Sequence, residues 1–170
     1  MNPPRGSFRR GIRVPAMAGL ILALFTLLSL PGNAQELSRF LQEKQALATY
    51  MVTQMCFDPV SIINWLRNTR QAGVSLPVWI GLPGVGDLTK LIPLSFRIGV
   101  GQSLKLLKKQ KGLLRKLVSA RPYQPDELLQ GLLPHLGNEE LLIEGFHIYS
   151  FNAIARTERW RMETYNKLSG

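Results

Sequence analysis

Three short runs of β-forming residues, separated by helical patterns, constrain the fold of this chain more than any other feature. The runs cover residues 50–57, 76–80 and 145–151. Asp58 suits the N-cap of a helix that follows the first run and ends at Gly73. Strands that alternate with helices build right-handed βαβ units, in which the strands are parallel. The sequence therefore predicts an α/β fold around a parallel sheet.

Helical patterns flank and separate these runs. Helices are predicted at residues 36–49, 59–71, 100–118, 125–135 and 153–168, with a short one from Asp87. Residues 81–86 (GLPGVG) predict a turn, since they match neither the P-loop nor the dinucleotide-binding pattern.

Length and composition exclude several classes of protein. The chain has 170 residues, whereas a complete (β/α)8 barrel typically needs about 250. Its single cysteine, Cys56, excludes an intrachain disulfide and a four-cysteine zinc site, and we predict that it is a small core residue. The formal net charge of +10 suits a nucleic-acid, anionic-lipid or phosphate-bearing partner without choosing among them.

Residues 1–35 have the order of charged and apolar residues found in secretory signals. Four arginines precede the apolar residues 16–30, and residues 31–34 offer a cleavage site. An apolar run of about 15 residues is shorter than the roughly 20 that span a bilayer, so cleavage is favoured over anchoring. We predict an N-terminal hydrophobic helix or signal-like segment, with a leader translated in the wrong frame as the alternative.

Three motifs on the predicted strands resemble one enzyme family. Residues 52–58 (VTQMCFD) are similar to the sixth barrel strand of methylenetetrahydrofolate reductases, where a Thr-Gln pair precedes apolar residues and an Asp. Residues 77–83 (PVWIGLP) resemble the seventh strand, and residues 146–152 (FHIYSFN) resemble the eighth. The resemblance covers about residues 36–168, and residues 97–101 (RIGVG) look closest to the shorter bacterial reductase-like branch.

The resemblance implies a fold and an activity. Residues 36–170 would form the C-terminal part of a (β/α)8 TIM barrel. The implied activity is that of a flavoprotein oxidoreductase that uses FAD to reduce 5,10-methylenetetrahydrofolate to 5-methyltetrahydrofolate in one-carbon metabolism and methionine biosynthesis. NAD(P)H or another donor would supply the electrons. The catalytic carboxylates of the family lie on its first and fourth strands, so we expect a truncated member with no catalytic residue and little activity alone.

Four residues are candidate ligand contacts. The resemblance assigns Gln54 to the pterin ring and Lys44 to the flavin phosphates. Tyr149 and Asn152 end the eighth strand, and this position would place them at the mouth of the substrate pocket. An amide can donate and accept hydrogen bonds at once, as a heterocycle edge requires. The alternatives are that Gln54 binds a neighbouring loop, that Asn152 caps the last helix and that Lys44 is merely solvated.

The resemblance also implies a cytoplasmic protein with the folate substrate as its partner and no nucleic acid. A second copy or a separate N-terminal half would cover sheet edges that are otherwise open. The alternative is a non-catalytic fragment, exported or membrane-anchored through residues 1–35, that binds anionic lipid or a protein through the basic residues 100–118. The same basic residues also suit a folate polyglutamate tail or a solvated outer face.

Overall fold

The computed structural model describes residues 21–24, 34–87, 93 and 122–169. The strands are β1 (Ile21–Leu24), β2 (Tyr50–Met55), β3 (Val78–Pro83) and β4 (Ile143–Tyr149). The helices are α1 (Ala34–Lys44), α2 (Pro59–Gln71), α3 (Asp126–Leu132) and α4 (Ile154–Ser169). Short 3-10 turns at Gln45–Leu47 and Leu133–His135 extend α1 and α3.

The strands form one parallel sheet in chain order, β1-β2-β3-β4. Ile21 pairs with Tyr50, Met51 with Val78, and Val78 with Ile143, so each strand lies beside its successor. This arrangement confirms the predicted α/β fold and its parallel sheet.

All four described helices pack against the same face of the sheet. Val78, Ile80 and Leu82, at alternate positions of β3, belong to one buried apolar cluster to which every helix contributes. The helical members of this cluster are Leu41, Ile62, Ile63, Leu66, Leu128, Leu129, Leu132 and Trp160. Cys56 is also buried in the cluster, as predicted. A doubly wound sheet carries helices on both faces, whereas the described helices cover only one face of this sheet.

The ends of α2 are set by its own sequence. A carboxylate oxygen of Asp58 accepts a hydrogen bond from the Ser61 backbone N–H at 3.0 Å, which confirms the predicted N-cap. Gly73 has a φ of +81°, a left-handed conformation that glycine adopts at little cost, and the helix ends just before it.

Arg70 holds the C-terminal turn of α2 against the amino edge of the sheet. Its guanidinium donates to the Val74 carbonyl at 2.8 Å and to the Leu141 carbonyl at 2.8 Å. Partial burial lowers the pKa of Arg70. These bonds fix the segments that lead into β3 and β4.

Two close contacts join α3 to its neighbouring helices. A Cβ on Gly131 would lie 2.6 Å from Cγ of Pro59 at the start of α2, so the two helices meet at a glycine. The indole N–H of Trp160 in α4 donates to a carboxylate oxygen of Asp126 at 3.3 Å. The three helices therefore form a continuous layer over the sheet.

Some sequence-based boundaries need correction. Within the expected hydrophobic helix or signal-like segment, Ile21–Leu24 form a strand rather than a helix, because pairing with β2 satisfies their backbone groups. Residues 81–83 belong to β3 rather than to a turn. The last strand ends at Tyr149 rather than at residue 151, since Phe151 and Asn152 have positive φ angles of 46° and 64°.

Other predictions fall outside the described residues. These are the basic segment 100–118, the helix predicted beyond Asp87 and most of residues 1–35. Within the described part of the chain, none of the helices is both long and apolar enough to cross a membrane.

Candidate functional site

A bulge in β2 shapes the carboxyl edge of the sheet. The pairing of β2 with β3 changes register between Val52 and Met55. At this point the Gly81 backbone N–H donates to Thr53 Oγ1 at 2.8 Å. The Cys56 backbone N–H donates to the Gly81 carbonyl at 3.3 Å beyond the bulge. The buried side chain of Thr53 therefore contributes an acceptor to the pairing of β2 with β3 at the bulge.

Gly81 permits this close approach of the two strands. A Cβ at this position would lie 2.6 Å from the Thr53 carbonyl oxygen and 2.8 Å from the Gln54 carbonyl carbon and oxygen. Because these are backbone atoms of a paired strand, they cannot move aside as a flexible side chain can. A glycine is therefore required for the bulge to form.

Tyr149, on β4, reaches the same point across β3. Its hydroxyl donates to the Thr53 carbonyl at 3.0 Å, although β4 and β2 are separated by β3. The ring is half-buried, and this burial raises the pKa of Tyr149. Its ring centroid lies 4.7 Å from that of His147, edge to face, and 6.3 Å from that of Phe151 in a stacked arrangement. The structure thus brings Tyr149 to the peptide bond that precedes Gln54.

The amide oxygen of Gln54 is hydrogen-bonded within its own strand. Its Oε1 accepts a hydrogen bond from the Met55 backbone N–H at 3.1 Å, at the position where the bulge shifts the ladder. Its Nε2 group donates no hydrogen bond to another described residue. The half-buried side chain therefore has two amide hydrogens left for an acceptor at the carboxyl edge.

Asn152 lies just beyond the end of β4, on the same edge of the sheet. Its side chain is exposed and makes no hydrogen bond to another described residue. It is not the cap of α4, because the Ala153 carbonyl accepts from the Thr157 N–H at 3.0 Å and Ala153 thus precedes the first helical residue. Its left-handed backbone is a conformation that asparagine tolerates well.

Lys44 lies at the opposite edge of the sheet. It is the last residue of α1, and its Nζ lies 5.8 Å from the ring centroid of Phe40. The next residue, Gln45, accepts a hydrogen bond from the Ser75 backbone N–H at 3.1 Å, just before β3 begins. Strand β2 runs from this edge to Gln54, and its six residues span about 16 Å.

The described residues do not fit a flavin site built from Lys44 and Gln54 together. The one cation assigned to the flavin phosphates lies at the amino edge, whereas barrel active sites form at the carboxyl edge. In the described part of the chain, three or more His, Cys, Asp and Glu side chains nowhere come together as a metal site would require. The site as described offers hydrogen-bond donors and aromatic faces.

No known protein-family model matches the sequence. The resemblance to methylenetetrahydrofolate reductases therefore rests on the three sequence motifs.

Two residues of this site, Thr53 and Gly81, were not singled out by the sequence. The Thr-Gln pair drew attention only to its glutamine, and Gly81 was assigned to a turn. Their roles depend on a hydrogen bond between residues 28 positions apart. The only available signal was a glycine that directly follows a β-forming run, where a close backbone approach is common.

Proposed function

We propose that this chain is a methylenetetrahydrofolate reductase-like protein that recognises a reduced folate through Gln54. Its sheet would form part of a (β/α)8 barrel, with β2, β3 and β4 in the places of the sixth, seventh and eighth strands. The sequential parallel order and the single layer of helices support this assignment, since both are features of a barrel wall.

One observation carries the proposal. Gln54 and Tyr149 come from the two motifs that resemble the sixth and eighth strands. At the carboxyl edge the Tyr149 hydroxyl donates at 3.0 Å to the carbonyl of Thr53, the residue directly before Gln54. Active sites of β/α barrels are built at this edge from the ends of several strands. The free amide hydrogens of Gln54 and the aromatic rings beside Tyr149 suit a flat heterocycle.

The reaction proposed for this site is the reduction of 5,10-methylenetetrahydrofolate to 5-methyltetrahydrofolate, with FAD as the hydride carrier and NAD(P)H or another donor as the reductant. The flavin carries out the hydride chemistry in such enzymes. We assign no flavin contact to Lys44, because it lies at the opposite edge from Gln54. A separate N-terminal half or a second copy of the chain is the proposed source of the remaining flavin contacts and of the general acid.

Calorimetric titration of the purified chain with 5-methyltetrahydrofolate tests the proposal. We expect saturable binding, weakened by about tenfold or more in Gln54→Ala, because the loss of one or two hydrogen bonds has this size. Gln54→Glu keeps an acceptor for the Met55 N–H but removes the two donors, so it should weaken binding as much. Gln130→Ala changes an exposed glutamine of α3 and is the matched control. A chain that binds no folate, or a Gln54→Ala variant that binds as well as wild type, would refute the proposal.

Absorbance of the purified chain after incubation with FAD, followed by gel filtration, tests cofactor binding separately. Retained flavin absorbance would support catalysis by this chain together with its reductant. A colourless protein that still binds folate would restrict the proposal to substrate recognition and would direct the search to a second polypeptide.

A further inference from the structure

The hydrogen bond between Tyr149 and Thr53 joins two strands that are not neighbours in the sheet. Strand β3 lies between them, and Gly81 of that strand has no side chain. A Cβ on Gly81 would lie 2.6 Å from the carbonyl oxygen that accepts the Tyr149 hydroxyl. The absence of a side chain at position 81 thus leaves this oxygen accessible to Tyr149.

Three hydrogen bonds converge on three consecutive residues of β2. The Thr53 carbonyl accepts from the Tyr149 hydroxyl at 3.0 Å, and Thr53 Oγ1 accepts from the Gly81 N–H at 2.8 Å. Gln54 Oε1 accepts from the Met55 N–H at 3.1 Å. The first two bonds fix the peptide plane between Thr53 and Gln54, and the third fixes the direction of the Gln54 amide.

The amide of Gln54 is therefore held with its Oε1 directed at the Met55 N–H. One lone pair of Oε1 is used in this bond, whereas the Nε2 hydrogens have no described acceptor. A ligand that bound Gln54 through Nε2 would offer an acceptor, such as a carbonyl oxygen or an unprotonated ring nitrogen.

We propose that Tyr149 is a positioning residue for Gln54, which it holds through the Thr53 carbonyl so that the Nε2 hydrogens of Gln54 are presented to the ligand. The identity of the ligand as a folate rests on the function proposed above. The positioning itself rests on the three hydrogen bonds. The place of Tyr149 at the end of its strand predicts that it faces the pocket mouth, whereas its hydroxyl is directed at the protein backbone.

A double-mutant cycle tests whether Tyr149 acts through Gln54. Dissociation constants for 5-methyltetrahydrofolate are measured for wild type, Tyr149→Phe, Gln54→Ala and the double variant. Tyr149→Phe removes only the hydroxyl and should weaken binding about tenfold in the wild-type background. It should change binding by less than about twofold when Gln54 is already alanine, because the residue through which it acts is gone. An equal loss in both backgrounds, or no loss in either, would overturn the inference.

Tyr50→Phe is the matched control for the hydroxyl. Tyr50 lies at the other end of β2, and its hydroxyl makes no hydrogen bond to another described residue. Binding should therefore remain within about twofold of wild type in this variant. A tenfold loss in Tyr50→Phe would show that removing any hydroxyl from this sheet disturbs the site, and would count against a specific role for Tyr149.

Amide hydrogen exchange separates this inference from the proposed function. In Tyr149→Phe, the amides of Met55 and Gly81 should exchange about tenfold faster than in wild type, while amides of α2 keep their rates. This readout needs no ligand, so it remains informative even if the wild-type chain binds no folate. Unchanged exchange at Met55 and Gly81 would overturn the positioning role whether or not folate binds.

Discussion

Two buried threonines differ in whether the hydroxyl group has a hydrogen-bond partner. Thr69 in α2 is 2 % exposed, and its hydroxyl donates to the Trp65 carbonyl at 2.8 Å. Thr157 in α4 is 6 % exposed, and its hydroxyl lies against Gly84 without a hydrogen-bond partner in the described part of the chain. Both hydroxyl groups lose their hydrogen bonds to water on burial, but only that of Thr69 gains a hydrogen bond within the protein in return.

We expect Thr157→Val to be neutral or to raise the free energy of unfolding by up to about 1 kcal/mol, because valine has the same shape and no unsatisfied hydroxyl. Thr69→Val is the matched variant and should lower the free energy of unfolding by about 1 kcal/mol through its lost bond. Urea unfolding measures both. The interpretation of Thr157 is wrong if its replacement destabilises the protein as much as that of Thr69.

His147 gives the protein a dependence on pH. Although His147 is exposed at the surface, partial burial of its ring lowers the pKa of His147 from the ordinary value of 6.5. The unfolded chain therefore binds this proton more readily than the folded chain. The associated stability is fully present above pH 6.5 and is lost as the pH falls through that value towards the lower folded pKa.

Unfolding free energies should therefore fall more steeply from about pH 7 to about pH 5 in wild type than in His147→Gln, which cannot take up the proton. The measurement is urea unfolding of both proteins at a series of pH values. Parallel curves for the two proteins would show that His147 does not contribute.

Among the elements, α2 and α3 meet at a glycine. A Cβ on Gly131 would lie 2.6 Å from Cγ and 2.9 Å from Cβ of Pro59. Alanine usually stabilises a helix interior by about 1 kcal/mol relative to glycine. Here the clash with a rigid proline ring opposes that gain.

Gly131→Ala should consequently lower the free energy of unfolding by about 1–3 kcal/mol, the usual effect of overpacking. Gln130→Ala, at an exposed position of the same helix, should change it by less than about 0.5 kcal/mol. Thermal unfolding followed by circular dichroism compares the two. A Gly131→Ala variant as stable as wild type would mean that α3 can shift away from Pro59 at no cost.

At the scale of the whole molecule, one apolar cluster connects all four helices to the sheet. Leu132 of α3 is completely buried in it, together with Leu41 of α1, Leu66 of α2 and Trp160 of α4. The described part of the chain has no second cluster into which a subset of helices packs separately. Cooperative unfolding follows from this shared core.

Leu132→Ala should lower the free energy of unfolding by about 2–5 kcal/mol, since it leaves a cavity in the shared core. Circular dichroism and tryptophan fluorescence should report the same shifted midpoint, because Trp160 and the strands lose one core together. Two separate transitions in the variant would show that part of the sheet unfolds independently of α3.

Features that depend on neighbouring residues can be read from the sequence. The capped start of α2 at Asp58, its end before Gly73 and the three β-forming runs are patterns within a few residues of one another. Alternation of these runs with helices was enough to predict a parallel sheet. It also placed Gln54 near the carboxyl end of its strand, because that position follows from where the strand begins and ends.

What these residues contact depends on the tertiary fold. The strand at Ile21–Leu24 forms because β2 offers it a partner, and this pairing replaces the helix that was expected for the apolar segment. Thr53 Oγ1 accepts from the N–H of Gly81 at the bulge, and the Thr53 carbonyl accepts from the hydroxyl of Tyr149, 96 positions away in the chain. Lys44 and Gln54 are close in sequence, yet a strand separates them to opposite edges of the sheet. Local patterns fix the backbone of each element, whereas hydrogen bonds between distant residues fix where its side chains act.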